Sequence, residues 1–516
     1  MKRFLLAPVL APMALIALLA AAAGCARAPR EIPVSEAVKP RPVFLLGFDG
    51  LDPGLLSQYE RQGLLPSFAR LRKEGAVGAI RSTIPYISPP AWTTVATGVP
   101  PDGHGVWSFW LPEGGDPRGR SVDSTCRLAP AIWEDLTAAG RTVGIVNVPV
   151  TSPPDSVNGF FIAGFPYPEG APLTWPPELE ERIVARGYLR DEYGGAPQPG
   201  REEEWLDHVE AIARGRREVG LDLLFERAPD LSFIVFTSPD RIQHHLWKFH
   251  DPEHPLHDAA APERLRNAVR DSYVWCDEVL GEVLRRLPRE TVLFVLSDHG
   301  FGPSYWGISK ARVTADLAQG RTVTASRNIF GGDFWLEGAG ASEREQLSRG
   351  LLALRDPRGL PLVREVHDLR TGTERGYGRE LGPDLVAEEA EGFLFVPGNG
   401  PADPLAGIMP PQSFSGYHRR LGYFAAWGPP IVPGPVRDSD LADVTTLAVH
   451  ILGERIPRRY TANPPRGLFP DTYFVERQMV YSGFPDEGYR KPGDRAPGAG
   501  VDDAVAAQLR ALGYVQ

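Results

Sequence analysis

Short β-branched or aromatic runs recur along the chain and several end in polar residues: Val43–Phe48 before Asp49, Val143–Val148, Leu231–Phe236 before Asp240, and Thr291–Leu296 before Asp298. Between them lie stretches with helical periodicity, Leu55–Lys73, Pro130–Ala139, Glu203–Arg227 and Pro262–Leu287. Alternating strand and helix predicts an α/β fold, a mostly parallel central sheet with helices on both faces. In such sheets ligands gather beyond the carboxyl ends of the strands, where Asp49, Asp240 and Asp298 are expected to lie.

The rhythm weakens over residues 301–411, which are richer in Gly, Glu and Arg, with a helix expected at Ser342–Arg355 and a strand at Leu362–Val366. This stretch reads as an inserted cap between a first core part, 43–300, and a second, 412–516. The α/β pattern resumes at Leu421–Trp427, continues in a helix over Asp438–Leu452, and closes with an amphipathic helix within Val501–Gln516.

The first 42 residues follow a different pattern. Lys2 and Arg3 precede an apolar stretch, Phe4–Ala23, that ends in small residues and Gly24-Cys25. About 20 apolar residues would also suffice for a membrane anchor. Pro8, Pro12 and the small-residue end favour a processed signal, residues 1–25, similar to a bacterial lipobox with Cys25 as the lipidated residue. Residues 26–42 are Pro-rich and suit a tether. The expectation is an exported lipoprotein of the cell envelope, attached to a membrane through a lipid on Cys25.

Composition limits the function classes. The chain has 516 residues, 42% hydrophobic and 23% charged, enough to bury a core. A formal net charge of -10 gives no basic field, so a nucleic-acid polymer is disfavoured as a partner. Fifty-five Gly and 52 Pro point to many ordered loops. Besides Cys25 only Cys126 and Cys276 remain, compatible with one disulfide or two buried thiols and too few for a thiolate metal site. Oligomeric state leaves no trace in the sequence.

The chemistry concentrates in Asp49, Ser88, Asp240, His244, Asp298, His299 and His418. Three Asp and three His make a mixed oxygen and nitrogen set that suits two divalent ions, Zn or Mn better than Ca. Each residue has a plainer explanation: Asp49-Gly50 as a turn, Asp240 and His244 as a cap and a surface histidine one helical turn apart, His418 as a loop residue. Ser88 opens Ser88–Gly98, where Ser suits an N-cap, Pro89 the first turn and Gly98 the helix end. A hydroxyl there also faces the positive end of a helix, where a phosphate would bind.

These residues stand in motifs that resemble the type I phosphodiesterase/nucleotide pyrophosphatase branch of the alkaline phosphatase superfamily. The matching stretches are Phe44–Gly50, Ser88–Gly98 with Asp102–Gly105, Ser238–His244, Ser297–Gly302, and Gly416–His418 leading to Ala425–Gly428. The resemblance implies an alkaline-phosphatase-like fold and a metal-dependent hydrolase of small phosphate esters. Asp240, His244 and His418 would hold one ion; Asp49, Asp298 and His299 would hold the other, beside the nucleophile Ser88. Zinc is the family's usual metal, with manganese in some relatives, and the implied course passes through a phosphoseryl intermediate.

The chain departs from the family in two places. Family members commonly use a Thr nucleophile and an Asn downstream that holds a phosphoryl oxygen; here these positions are Ser88 and Phe109. Pro89 and Pro90 lack backbone N–H donors beside the nucleophile. Asn147, at a predicted strand end, is a candidate for the missing phosphoryl contact, with a plain turn residue as its alternative. Trp92, Trp107 and Trp110 could stack on a substrate or belong to the core, and Trp92 is taken as the substrate-contact candidate. The alternatives on the same scaffold are a phosphomonoesterase, a phosphonate hydrolase or a sulfatase. Ser88 and Pro90 fit the sulfatase pattern, but Trp92 stands where it needs Arg. A non-catalytic envelope-binding lipoprotein is the alternative from another class.

Overall fold

The structure is a computed structural model that describes residues 39–511, apart from 114–115, 193–194, 319–322, 326–330, 372–377, 401, 409–413, 462–464, 466, 484–486 and 491–502. The stretch read as a signal, Cys25 and nearly all of the stretch read as a tether lie outside the described residues.

The central sheet orders its strands as Gly434–Pro435, Ala76–Arg81, Leu421–Trp427, Val292–Leu296, Val43–Phe48, Leu231–Phe236, Val143–Val146, Gly159–Ile162 and Thr174–Trp175. Val43–Phe48 lies at its centre, parallel to both Leu231–Phe236 and Val292–Leu296. The sheet is mostly parallel, as expected. Leu421–Trp427 runs antiparallel to both of its neighbours, so the returning chain enters the sheet in the opposite sense.

Every residue of Val43–Phe48 is buried, because helices cover both faces. Alternation then divides its side chains between two cores. Phe44, Leu46 and Phe48 join the Tyr59, Phe68 and Leu280 cluster, while Val43 and Leu45 join that of Trp92, Val95 and Leu447. The strand is thus clamped from both sides, and its carboxyl end, Asp49, is held in place.

Several element boundaries differ from expectation. The single helix expected over Leu55–Lys73 is two, Pro53–Arg61 and Pro66–Glu74. Gly63 adopts φ 76° between them, and Asp277, from the distant helix Glu263–Arg286, accepts from the N–H groups of Ser67 and Phe68 at 2.8 Å. This cap comes from a residue 210 positions away, beyond any local pattern. The helix expected over Glu203–Arg227 contains a π turn at Arg216–Gly220. The strand expected over Val143–Val148 ends at Val146, since Asn147 takes φ 56°.

Beyond the core, strand Gly300–Ser309 pairs with Gly392–Val396 and Ala406–Ile408, and its first residues pair with Gly416–Arg419. A second small sheet joins Val323–Ala325, Gly332–Leu336, Leu385–Glu389 and Val363–Asp368. These strands share a separate apolar cluster around Phe334, Leu385 and Phe395. Trp107 ties the core to this region by donating to the Gly378 carbonyl at 2.8 Å. The terminal helix Asp503–Ala511 packs on the body through Val505 and Leu509, and Gln508 exchanges hydrogen bonds with the Tyr167 backbone. Cys126 and Cys276 are both buried free thiols, which settles the choice left open by the sequence.

Gly47 is where the sheet meets the helix Ser88–Thr97. A Cβ there would lie 2.5 Å from Trp92 Cη2 and 3.0 Å from Val235 Cγ2. Gly47→Ala is expected to destabilise the fold by about 1–3 kcal/mol through overpacking, read as a lower denaturant midpoint with an unchanged slope.

Candidate metal centre and nucleophile

Six side chains converge at the carboxyl edge of the sheet. Asp49 follows Val43–Phe48 directly, while Asp298 and His299 follow Val292–Leu296 after Ser297. Asp240 lies one step further on than a strand end, in the first turn of helix Ser238–His250, with His244 one turn later on the same face. His418 arrives on strand Gly416–Arg419, paired with Phe301. All six are at most 2% exposed.

Two groups of donor atoms result. In one, His418 Nε2 lies 3.0 Å from Asp240 Oδ1 and 2.9 Å from His244 Nε2, with His244 Nε2 3.2 Å from Asp240 Oδ1. In the other, His299 Nε2 lies 3.4 Å from Asp49 Oδ1 and 3.2 Å from Asp298 Oδ2. The groups adjoin: the His299 and His418 rings stack with centroids 3.6 Å apart.

The histidines are oriented from behind. His244 Nδ1–H donates to the Gly416 carbonyl at 3.0 Å and His299 Nδ1–H to the Gly300 carbonyl at 3.1 Å, leaving each Nε2 lone pair aimed into the cluster. Gln243, between the two residues contributed by its helix, donates to the Gly50 carbonyl at 2.7 Å and fixes the Asp49-Gly50 turn. Tyr273 in turn donates to Gln243 Oε1 at 3.1 Å. Neither residue was singled out from the sequence; the position of Gln243 one residue before His244 was the available signal.

The electrostatics follow from burial. Asp49 is pushed well above the usual carboxylate range by burial and then by Asp298 and Asp240, with Arg241 and the Trp92 hydrogen bond opposing. Burial and Asp240 push Asp298 up as well. Burial also acts on Asp240, but His244, His418 and Arg241 outweigh it and hold the carboxyl well below that range. Burial, reinforced by His418, lowers His299, and burial lowers His418 to about 4. Both imidazoles are therefore neutral at neutral pH, the form that binds metals.

This donor set fits divalent cations. Bonds of about 2.0–2.1 Å in a tetrahedral shell space the donors about 3.3 Å apart, and the measured separations fall around that value. Asp298 Oδ2 is buried with no hydrogen-bond partner among the described residues. Two imidazole nitrogens facing one carboxylate oxygen at about 3 Å need a cation more than a single shared proton.

Ser88 stands beside the second group, its Oγ 3.4 Å from His299 Nε2 and 3.5 Å from Asp49 Oδ1. It is the first residue of helix Ser88–Thr97 and not its N-cap, which is Ile87; no side chain caps this end. Gly98 ends the helix at φ 68°, as its expected role requires. His104, in the following turn, serves the scaffold. Its Nδ1 accepts from the Val106 N–H at 3.1 Å, its Nε2 meets Thr94 Oγ1 at 3.0 Å, and burial lowers it to about 3.

Two sequence candidates occupy other places. Trp92 is fully buried, its ring against Phe233 and its Nε1–H donating to Asp49 Oδ2 at 3.0 Å. It is a core residue that holds a cluster carboxylate, and the substrate-stacking expectation is set aside. Asn147 is also fully buried, its amide donating to the Val235 carbonyl at 3.1 Å and facing Asp191 at 3.5 Å. Those groups consume the donors a phosphoryl contact would need. Trp107 and Trp110 are buried too.

A family model for type I phosphodiesterase / nucleotide pyrophosphatase matches residues 43–331, more than half of the chain, and the protein belongs to that family. It is accordingly a phosphodiesterase/pyrophosphatase-type hydrolase of the alkaline phosphatase superfamily. Among solved structures, phosphonoacetate hydrolase from Sinorhizobium meliloti 1021 in complex with phosphonoformate is similar with a TM-score of 0.52 at 19% identity, over 80% of this chain and 96% of that one. The same enzyme with phosphonoacetate gives 0.50 at 19% identity, over 80% and 96%. Human ectonucleotide pyrophosphatase / phosphodiesterase 5 gives 0.49 at 16% identity, over 86% of this chain and all of that one. At such identities the likeness establishes the fold, which is alkaline-phosphatase-like. No curated protein sequence matched the chain.

Trp92→Phe keeps an aromatic ring at this position, though a smaller one, and removes the donor to Asp49. Metal affinity is expected to fall about 10- to 100-fold with the fold retained, measured by competition with a chromogenic chelator.

Proposed function

We propose that the protein hydrolyses phosphate esters, phosphodiester or pyrophosphate bonds foremost, using two divalent cations, Zn or Mn, with Ser88 as nucleophile. The observation that carries this reading is the position of Ser88 Oγ, within 3.5 Å of both Asp49 and His299 at a helix N-terminus. Asp240, His244 and His418 would hold one cation; Asp49, Asp298 and His299 would hold the other, next to the serine. When bound, such cations lower the pKa of a neighbouring hydroxyl and offset charge on the phosphoryl oxygens.

Ser88 Oγ attacks phosphorus in line with the departing oxygen. The Oγ–P bond forms as the bond from phosphorus to the leaving oxygen breaks; the Ser88 hydroxyl gives its proton to water, and water returns one proton to the leaving oxygen. Water then cleaves the Oγ–P bond, returns a proton to Ser88 and releases the phosphorylated product. His299 and His418, both lowered by burial, stay neutral through this course.

The same reading places the protein in the cell envelope, exported and tethered through a lipid on Cys25. Its support is the charged, apolar and small-residue order of the first 25 positions. No helix among the described residues is long and apolar enough to cross a membrane.

A panel of bis-p-nitrophenyl phosphate, p-nitrophenyl phosphate and p-nitrophenyl sulfate checks the reaction class. The diester is expected to turn over fastest; preference for the monoester or the sulfate would reverse the assignment. Ser88→Ala is expected to lose roughly three orders of magnitude or more in kcat while keeping its melting temperature. An active Ser88→Ala protein would remove the nucleophile.

A further inference from the structure

Lys39 leads into the strand Val43–Phe48 from the edge of the sheet opposite to Asp49. The Arg41 N–H donates to the Ile451 carbonyl at 3.0 Å, and the Lys39 carbonyl accepts from Arg477 Nη1 at 3.1 Å. Arg477 also donates to the His450 carbonyl at 2.6 Å. The entering chain is thus fastened to the segment that carries Arg477.

That segment is apolar on both sides. Tyr473 is buried with its ring stacked on Phe469, centroids 4.2 Å apart, and Phe474 and Met479 pack against the core. Val475, Val480 and Tyr481 are left outside, at 77%, 51% and 38% exposure. Single exposed apolar side chains are ordinary, but three in one short segment mark a contact surface. Strand Tyr481–Ser482 pairs with Ile456–Pro457, which brings the exposed Arg455 and Arg458 beside them. With Lys39 and Arg477 these bases outnumber the exposed acids of the patch, Asp471 and Glu476, while Glu454 is paired with Arg141 at 2.7 Å. On a chain of net charge -10 this is a locally basic, apolar face.

We infer that this face, Val475, Val480 and Tyr481 with Lys39, Arg455 and Arg458, rests on the lipid surface to which the amino-terminal segment attaches the protein. The inference rests on the reading of Cys25 as a lipid anchor. Residues 26–38 span at most about 45 Å even when fully extended, and a linker that short gives an effective concentration on the order of millimolar. A weak patch is then sufficient. Apolar side chains that enter the headgroup layer, a tyrosine at its boundary and bases facing anionic headgroups make such a patch. The metal-binding cluster stands at the other end of Val43–Phe48, about 20 Å further from the lipid. A water-soluble phosphate ester fits that placement better than a phospholipid of the supporting bilayer.

The test uses the full lipidated chain in vesicles of phosphatidylcholine and phosphatidylglycerol, with a fluorophore attached at Val480→Cys or, as a control, at Leu360→Cys. Leu360 is 47% exposed in the cap region, and the native Cys126 and Cys276 are buried, so labelling is selective. Quenching by a nitroxide-bearing lipid is the readout. The label at 480 is expected to be quenched severalfold more than the label at 360. Val475→Glu combined with Tyr481→Glu should abolish that difference while the melting temperature and hydrolysis of bis-p-nitrophenyl phosphate hold. Equal quenching at both positions, on a chain that floats with the vesicles, overturns the inference and leaves the anchor reading intact. Disulfide-linked dimers through position 480 in place of quenching would make the face a contact between copies and overturn it equally. A chain that does not float with the vesicles removes the anchor reading, and the inference with it.

Discussion

Three carboxylates are packed around one point and almost wholly buried. Asp49, Asp240 and Asp298 are each at most 2% exposed, and burial together with their mutual repulsion drives two of them far from their ordinary titration range. Such an arrangement is costly unless positive charge is brought in. The Arg241 guanidinium answers part of that requirement, and two groups of donor atoms are spaced to hold the cations that answer the rest. A divalent cation is the agent best suited to complete it, because His299 and His418 are neutral, offering lone pairs and no charge of their own.

The fold meets this requirement with rigid parts. Asp49 is extended from a strand buried on both faces, Asp298 and His299 from its parallel neighbour, and Asp240 and His244 from the helix that follows the third strand. Trp92 links the helix Ser88–Thr97 to Asp49 through one hydrogen bond, and Gly47 is small because that indole lies across it. Position and charge are therefore coupled: a side chain that shifts the helix Ser88–Thr97 also shifts a carboxylate.

Much of this was legible in the chain itself. Apolar runs ending in Asp marked three parallel strands, and the α/β class followed from their alternation with helices. The family was legible too, since its motifs are local and ordered. What escaped was set by contacts distant in sequence. Asp277 caps a helix 210 residues away and so divides what periodicity presented as one helix. Trp92 reads as a possible stacking residue until the helix that carries it proves buried on every side. Ser88 has the composition of an N-cap, yet Ile87 takes that place and the hydroxyl turns toward Asp49 and His299. Asn147 belongs to a buried network with Asp191, whose partners Arg216 and Thr237 come from a π turn and a helix entry that no short pattern joins.

The most direct test is elemental analysis of the purified full chain by mass spectrometry, before and after chelation, with a thermal melt at each stage. Two equivalents of zinc or manganese per chain, a clear fall in melting temperature once they are stripped, and recovery on adding the same metal are the expected results. A chain that binds neither metal and melts at the same temperature with and without chelator would contradict the claim that this buried cluster of carboxylates is built around cations.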